Sequence, residues 1–157
     1  MRIALGSDER THLTDFVEAE LRRRGLEVQA FGPPTGQELA WPEVAEAVAR
    51  TVVSGGADEG VLFCWKGTGV SMAANKVPGI RAALCGDAET ARGAKAWNQA
   101  NVLCLSLRST SDTVAREILD AWFSASADPS EAENVARVNA MDERYRVAES
   151  GRAGRSR

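Results

Sequence analysis

Apolar positions along this chain change period repeatedly, from two residues to about 3.6 and back. "RIALGS" (2–7), "LEVQAFG" (26–32), "EGVLFCW" (59–65), "RAALC" (81–85) and "NVLCLSL" (101–107) are short apolar or alternating runs, and each predicts a strand. Between them lie amphipathic runs. "LTDFVEAELRRRG" (13–25) puts Leu13, Phe16, Val17 and Leu21 at helical spacing and stops at Gly25. "WPEVAEAVARTVVSGG" (41–56) predicts a helix with Pro42 in its first turn. Further helices are predicted from about Val70 to Val77, over 87–100 with Asp87 as its cap, over 110–125, and over 130–150 after Pro129. "PPTGQELA" (33–40) is a breaker-rich loop, and the small, basic tail 151–157 is expected to be disordered.

Five strands alternating with helices predict one α/β domain over 1–150. Its expected architecture is a Rossmann-like, doubly wound, five-stranded parallel sheet covered on both faces. In such a sheet, ligands bind at the carboxyl ends of the strands, near the point where strand order reverses. Here those ends carry Gly6-Ser7-Asp8, Cys64 to Gly69, Cys85 to Asp87, and Leu107-Arg108. The last helix has no following strand to cover. It is therefore expected to pack on a partner subunit, which predicts a homodimer or tetramer.

Composition narrows the classes without choosing one. With 157 residues, 44% hydrophobic and 26% charged, the chain suits one globular domain. A net charge of -3 and scattered cations give no footprint for nucleic acid, and "RRR" at 22–24 suits a solvated helix end. No run approaches the roughly 20 apolar residues of a membrane span, and "MRIALGSDER" lacks the apolar stretch of a signal peptide. A cytoplasmic protein without membrane contact is expected. The three cysteines, Cys64, Cys85 and Cys104, form no CxxC pair, and each lies at or near the end of an apolar run, as buried free thiols do.

The chemistry concentrates in "FCWKGTGVSMAANK" (63–76). A glycine-rich turn between strand and helix can offer backbone N–H groups to an anion, or it can simply be tight. The segment is neither GxxxxGK[ST] nor GxGxxG, so the standard nucleotide loops are excluded.

"ALGSD" at the start, "GTG" followed by "AANKVPGIRAAL" at 73–84, and "NQANVLCL" at 98–105 resemble the ribose-5-phosphate isomerase type B family, which includes the galactose-6-phosphate isomerase subunits. The likeness runs from about residue 1 to 145. It implies a dimer with active sites shared between subunits, and metal-free, cofactor-free interconversion of phosphorylated aldoses and ketoses through a cis-enediol. It also implies that Cys64 is the carbon base. Lys66 and the helix N-terminus are the groups that would lower the thiol's pKa. The other base position of the family is Val70 here, so Cys64 stands alone. Asp8, Asn98 and the loop Gly67-Thr68-Gly69 are implied to hold hydroxyls and an enediolate, and Arg108 and Arg137 to meet phosphate.

Several positions depart from the pattern. Glu9 replaces the histidine of the opening Asp-His pair, and the only histidine, His12, comes three residues later. Trp97 stands in place of the ring-opening histidine, and indole cannot exchange a proton at neutral pH. Trp65 and Lys66 replace small loop residues, and Glu133 replaces the first of two arginines. Two readings stay open. One is a divergent aldose–ketose isomerase for a sugar other than ribose 5-phosphate: unphosphorylated, amino-bearing or open-chain. The other is a non-catalytic relative acting as a binding or partner subunit.

Overall fold

The computed structural model describes residues 1–153, with side chains described to residue 145. Strands β1 (Arg2–Ser7), β2 (Glu27–Phe31), β3 (Glu59–Cys64), β4 (Ala82–Leu84) and β5 (Val102–Ser106) form one parallel sheet in the order β2-β1-β3-β5-β4. Helices α1 (His12–Arg23), α2 (Trp41–Val53), α3 (Thr68–Ala74), α4 (Ala88–Ala96), α5 (Asp112–Ser124) and α6 (Ala132–Ala153) complete it. The Rossmann-like α/β expectation holds. α3 begins two residues earlier than its apolar pattern indicates, because Gly67 turns the chain directly into it. The expected tail at 151–157 meets helix as far as Ala153, and its remainder lies outside the described residues.

Strand periodicity sorts the side chains into two cores. Ile3, Leu5, Val61, Phe63, Leu103 and Leu105 face α1, α4 and α5. Ala4, Leu62, Cys64, Val102 and Cys104 face α2 and α3. Cys64 thus looks towards the α2–α3 layer because it is two residues on from Leu62. Chain order reverses between β1, which goes out to β2, and β3, which returns on β1's other side. The crevice at their carboxyl ends is the expected ligand position.

At the opposite end of β3, Glu59 ties the other layer down. Its carboxylate accepts from Lys95 Nζ at 2.6 Å and from Trp122 Nε1 at 2.5 Å. Lys95 also donates to the Ala100 carbonyl and lies 5.0 Å above the Trp122 ring. The Lys95 and Glu59 side chains are only 18% and 12% exposed, so each charge depends on the other. Glu59→Ala should cost about 3 kcal/mol in urea unfolding, since it strands an ammonium and an indole N–H. A loss under about 1 kcal/mol would mean that water reaches Lys95 freely.

Candidate active site

Two hollows divide the residues singled out from the sequence. The first, a cleft of 240 Å³ at the carboxyl ends of β1 and β3, is lined by Asp8, Trp41, Cys64, Trp65, Lys66, Thr68 and Gly69. The second, of 340 Å³, lies between the α4–β5 turn and α6 and takes in Trp97 and Asn98. Glu9, Arg108, Glu133 and Arg137 are exposed and line neither hollow.

The loop after β3 is held by its neighbour β5. Cys64 pairs with Ser106, and the ladder continues as Leu107 N–H donates to the Cys64 carbonyl at 3.1 Å. The Trp65 carbonyl accepts from Arg108 N–H and from Ser106 Oγ, each at 3.0 Å. Gly67 then turns with φ +74°, and a Cβ there would stand 2.5 Å from Leu84 and 3.0 Å from the Leu105 backbone. Its own N–H donates to the Cys64 carbonyl. That amide is therefore spent on the turn, whereas those of Thr68 and Gly69, at the start of α3, have no acceptor among the described residues.

Cys64 is 7% exposed and opens on this cleft. The other two thiols do not share that setting. Burial pushes Cys85 up to about 12, helped by Asp87, and burial pushes Cys104 higher still. Both remain uncharged at neutral pH, as expected of inert core thiols.

Asp8 sits at the tip of a turn in which Ser7 Oγ donates to the Glu9 carbonyl at 2.6 Å and accepts from Glu9 N–H at 3.2 Å. Its Oδ1 is buried without a hydrogen-bond partner among the described residues. Burial, opposed by a backbone N–H and reinforced by Glu9, raises this carboxyl above the ordinary aspartate value. Such an oxygen is where a ligand hydroxyl can donate.

The aromatic walls differ from the sequence picture. Trp65 replaces a small residue, yet its indole is 56% exposed and borders the cleft without plugging it. Trp41 supplies the facing wall and was not singled out from sequence. Its ring lies so close to Gly69 that a Cβ there would be 3.1 Å from it. The available signal was an aromatic directly before Pro42, where a loop enters a helix beside the sheet's carboxyl edge. Lys66 is exposed at the rim and forms no ion pair among the described residues, whereas Arg10 is taken up by Asp15 at 3.0 Å. His12, at the first turn of α1, pairs with Asp112 at 2.7 Å and lines neither hollow.

In the second hollow the Trp97 ring rests on its own helix at Gly93 and is 55% exposed. Glu133 and Arg137, one turn apart on α6, pair with each other at 2.5 Å. Part of Arg137's charge is therefore answered within its own helix. Among the described residues, no group of three or more His, Cys, Asp or Glu side chains is placed to hold a metal ion. No helix there is long and apolar enough to cross a membrane.

The Asp8 setting predicts a stability effect with a definite sign. Its folded pKa exceeds the unfolded value, so between those two pKa values the native state binds more protons and stability falls as pH rises. Asp8→Asn removes that loss. Chemical denaturation should find the variant more stable than wild type at pH 7, with the difference vanishing below about pH 4. A destabilised variant at pH 7 would mean that the carboxylate is satisfied in the native protein.

The profile of the Ribose/Galactose Isomerase family matches residues 3–141. D-erythrulose-4-phosphate isomerase of Pectobacterium atrosepticum is 36% identical over 127 residues, 80% of this chain and 84% of that one. The galactose-6-phosphate isomerase subunit LacB of Clostridium acetobutylicum is 42% identical over 147 residues, covering 91% and 83%. The solved ribose-5-phosphate isomerase B of Clostridium thermocellum superposes with a TM-score of 0.86 at 36% identity, covering 92% and 99%. With the same sheet and the matched segment spanning most of its length, the chain belongs to the Ribose/Galactose Isomerase family of sugar-phosphate isomerases, which are enzymes.

Proposed function

We propose that this enzyme interconverts an open-chain aldose phosphate and its ketose, with Cys64 as the carbon base. The observation that carries the reading is the shared cleft of Cys64 and the unpartnered Asp8 oxygen. In the aldose direction the Cys64 thiolate takes the C2 proton, and the C–H electrons form the C1=C2 bond of a cis-enediolate. Negative charge moves to O1, beside the unengaged amides of Thr68 and Gly69. Asp8 accepts a substrate hydroxyl. The Cys64 thiol then returns its proton to C1, and the hydroxyl proton leaves O2 for O1, giving the ketose. Lys66, at the cleft rim, supplies a cation for the phosphate, and Arg108, outside the cleft but tied by its backbone to Trp65, is the second candidate.

The site is completed by a second copy of the chain. Asn98 and Arg137 lie apart from the Cys64 cleft, and Leu84, Val138 and Met141 leave apolar surface exposed on β4 and α6. A homodimer that brings the second hollow of one copy against the cleft of the other unites them. An apolar, nearly symmetric contact of this kind is also open to a related chain. The Glu133–Arg137 pair, which reduces the charge offered to phosphate, favours a mixed assembly as the second reading.

Trp97 selects the substrate. With indole in place of a ring-opening acid–base group, a sugar already in its open form is favoured. Four-carbon sugar phosphates meet that condition, because esterification of the terminal hydroxyl leaves none to close a five-membered ring. D-erythrulose 4-phosphate, the substrate named for the Pectobacterium relative, is the first choice. Its kcat/KM should exceed that for ribose 5-phosphate at least about 100-fold, the scale of a lost general acid–base group. Trp97→His should narrow the gap by raising activity on ribose 5-phosphate. Equal rates on both substrates in the wild type would contradict the assignment to Trp97, and a pure chain active only when mixed with a relative would favour the second reading.

A further inference from the structure

Arg81 stands just before β4 and lines the second hollow, and its guanidinium group bridges the turn before β5 and α6. Nε donates to the Gln99 carbonyl at 3.0 Å and to the Asn98 carbonyl at 3.2 Å, and Nη2 donates to Gln99 at 2.8 Å. Nη1 reaches across to Asn139 Oδ1 on α6 at 3.0 Å. Gln99 is left-handed, with φ +48°, and among the described residues it is the one non-glycine with positive φ. Side chains disfavour that conformation, so a turn that adopts it needs to be held from outside.

We propose that Arg81 is a positioning residue that fixes the Asn98 turn and α6 relative to each other, and so sets the half-site that one chain offers its neighbour. This rests on the isomerase reading above, in which Asn98 and Arg137 serve the Cys64 cleft of another copy. A planar fork of fixed N–H directions can hold two successive carbonyls and an amide oxygen at once, which an ammonium on a flexible stem cannot do. The surrounding bonds continue the same frame. Arg81 N–H donates to Asn101 Oδ1 at 2.8 Å, Asn101 donates to the Gly79 carbonyl at 2.9 Å, and Gly79 N–H donates to Asp142 on α6 at 2.7 Å. One short segment, 79–81, therefore grips both the start of β5 and α6. None of these bonds reaches the Cys64 cleft, which hangs instead on β3 and β5. Damage at Arg81 should thus spoil the half-site given to the neighbour and spare the half-site kept.

That separation can be measured by mixing. Arg81→Ala and Cys64→Ala are each expected to lose at least about 100-fold in kcat, with Arg81→Lys falling with Arg81→Ala. Unfolding and reassembling the two dead variants together gives half the dimers as heterodimers. In each of these, one of the two sites combines an intact Cys64 with an intact Arg81 frame, so activity should return to about a quarter of wild type. Hydrogen exchange supplies an arm that needs no turnover: amides at 98–101 and in α6 should exchange faster in both Arg81 variants, while those of β3 should not. Mixing without recovery, or exchange at 98–101 unchanged in both variants, overturns the assignment. A wild-type chain without isomerisation defeats the underlying reading instead, and the exchange arm tells the two failures apart.

Discussion

Everything at the candidate active site depends on how β3 ends. Its last residue, Cys64, is paired with Ser106, and the pairing continues past the strand through Leu107 and Arg108, whose amides donate to the Cys64 and Trp65 carbonyls and tie the loop to the end of β5. Gly67 then turns in a space where a methyl group would collide with Leu84 and Leu105. The turn delivers Thr68 and Gly69 to the head of α3 with their amides unengaged and leaves the thiol facing the crevice beside β1. A loop this constrained is a rigid platform for chemistry, which suits a reaction whose demand is accurate placement of a base and an oxyanion.

Around that platform, burial and hydrogen bonding set the cleft's side chains apart from those elsewhere. Cys85 and Cys104 are held protonated by burial, whereas Cys64 opens on the cleft. Asp8 retains a buried oxygen without a partner, while most other carboxylates with firm contacts are spoken for: Asp15 by Arg10, Asp112 by His12, Glu59 by Lys95 and Trp122. An acid left costly in the folded state, in the same cleft as a thiol, is the arrangement that the proposed isomerase chemistry uses. The exchange of histidine for Trp97 leaves this side of the site untouched, because Trp97 lies in the other hollow. The proposed change of substrate and the proposed cysteine base therefore rest on separate parts of the chain.

The sheet was legible because β-run and helix alternate cleanly, and because parity along each strand places Cys64 with Leu62 and away from Phe63. Asp87 as a cap and Pro42 in a first turn were local signals, and both are present in the structure. What local pattern could not convey was which residues share a hollow. Asp8 and Cys64 share a cleft because β1 and β3 are neighbours, and Trp97 and Asn98 are set apart because they precede β5, whose start pairs with the start of β3 and not with its Cys64 end. Trp41 escaped notice because it follows an irregular loop and belongs to no periodic face. Gly67 looked like an amide donor, but whether its N–H was already engaged depended on the turn geometry. The Arg81 bonds span 17 and 18 residues in one direction and 58 in the other, beyond any window of periodicity.

The most direct measurement follows solvent deuterium into the carbon next to the carbonyl, by NMR, with D-erythrulose 4-phosphate and the wild-type and Cys64→Ala proteins. Deuterium incorporated by the wild type, and reduced at least about 100-fold by Cys64→Ala, is the predicted result. Exchange that survives in Cys64→Ala would contradict the assignment of Cys64 as the base.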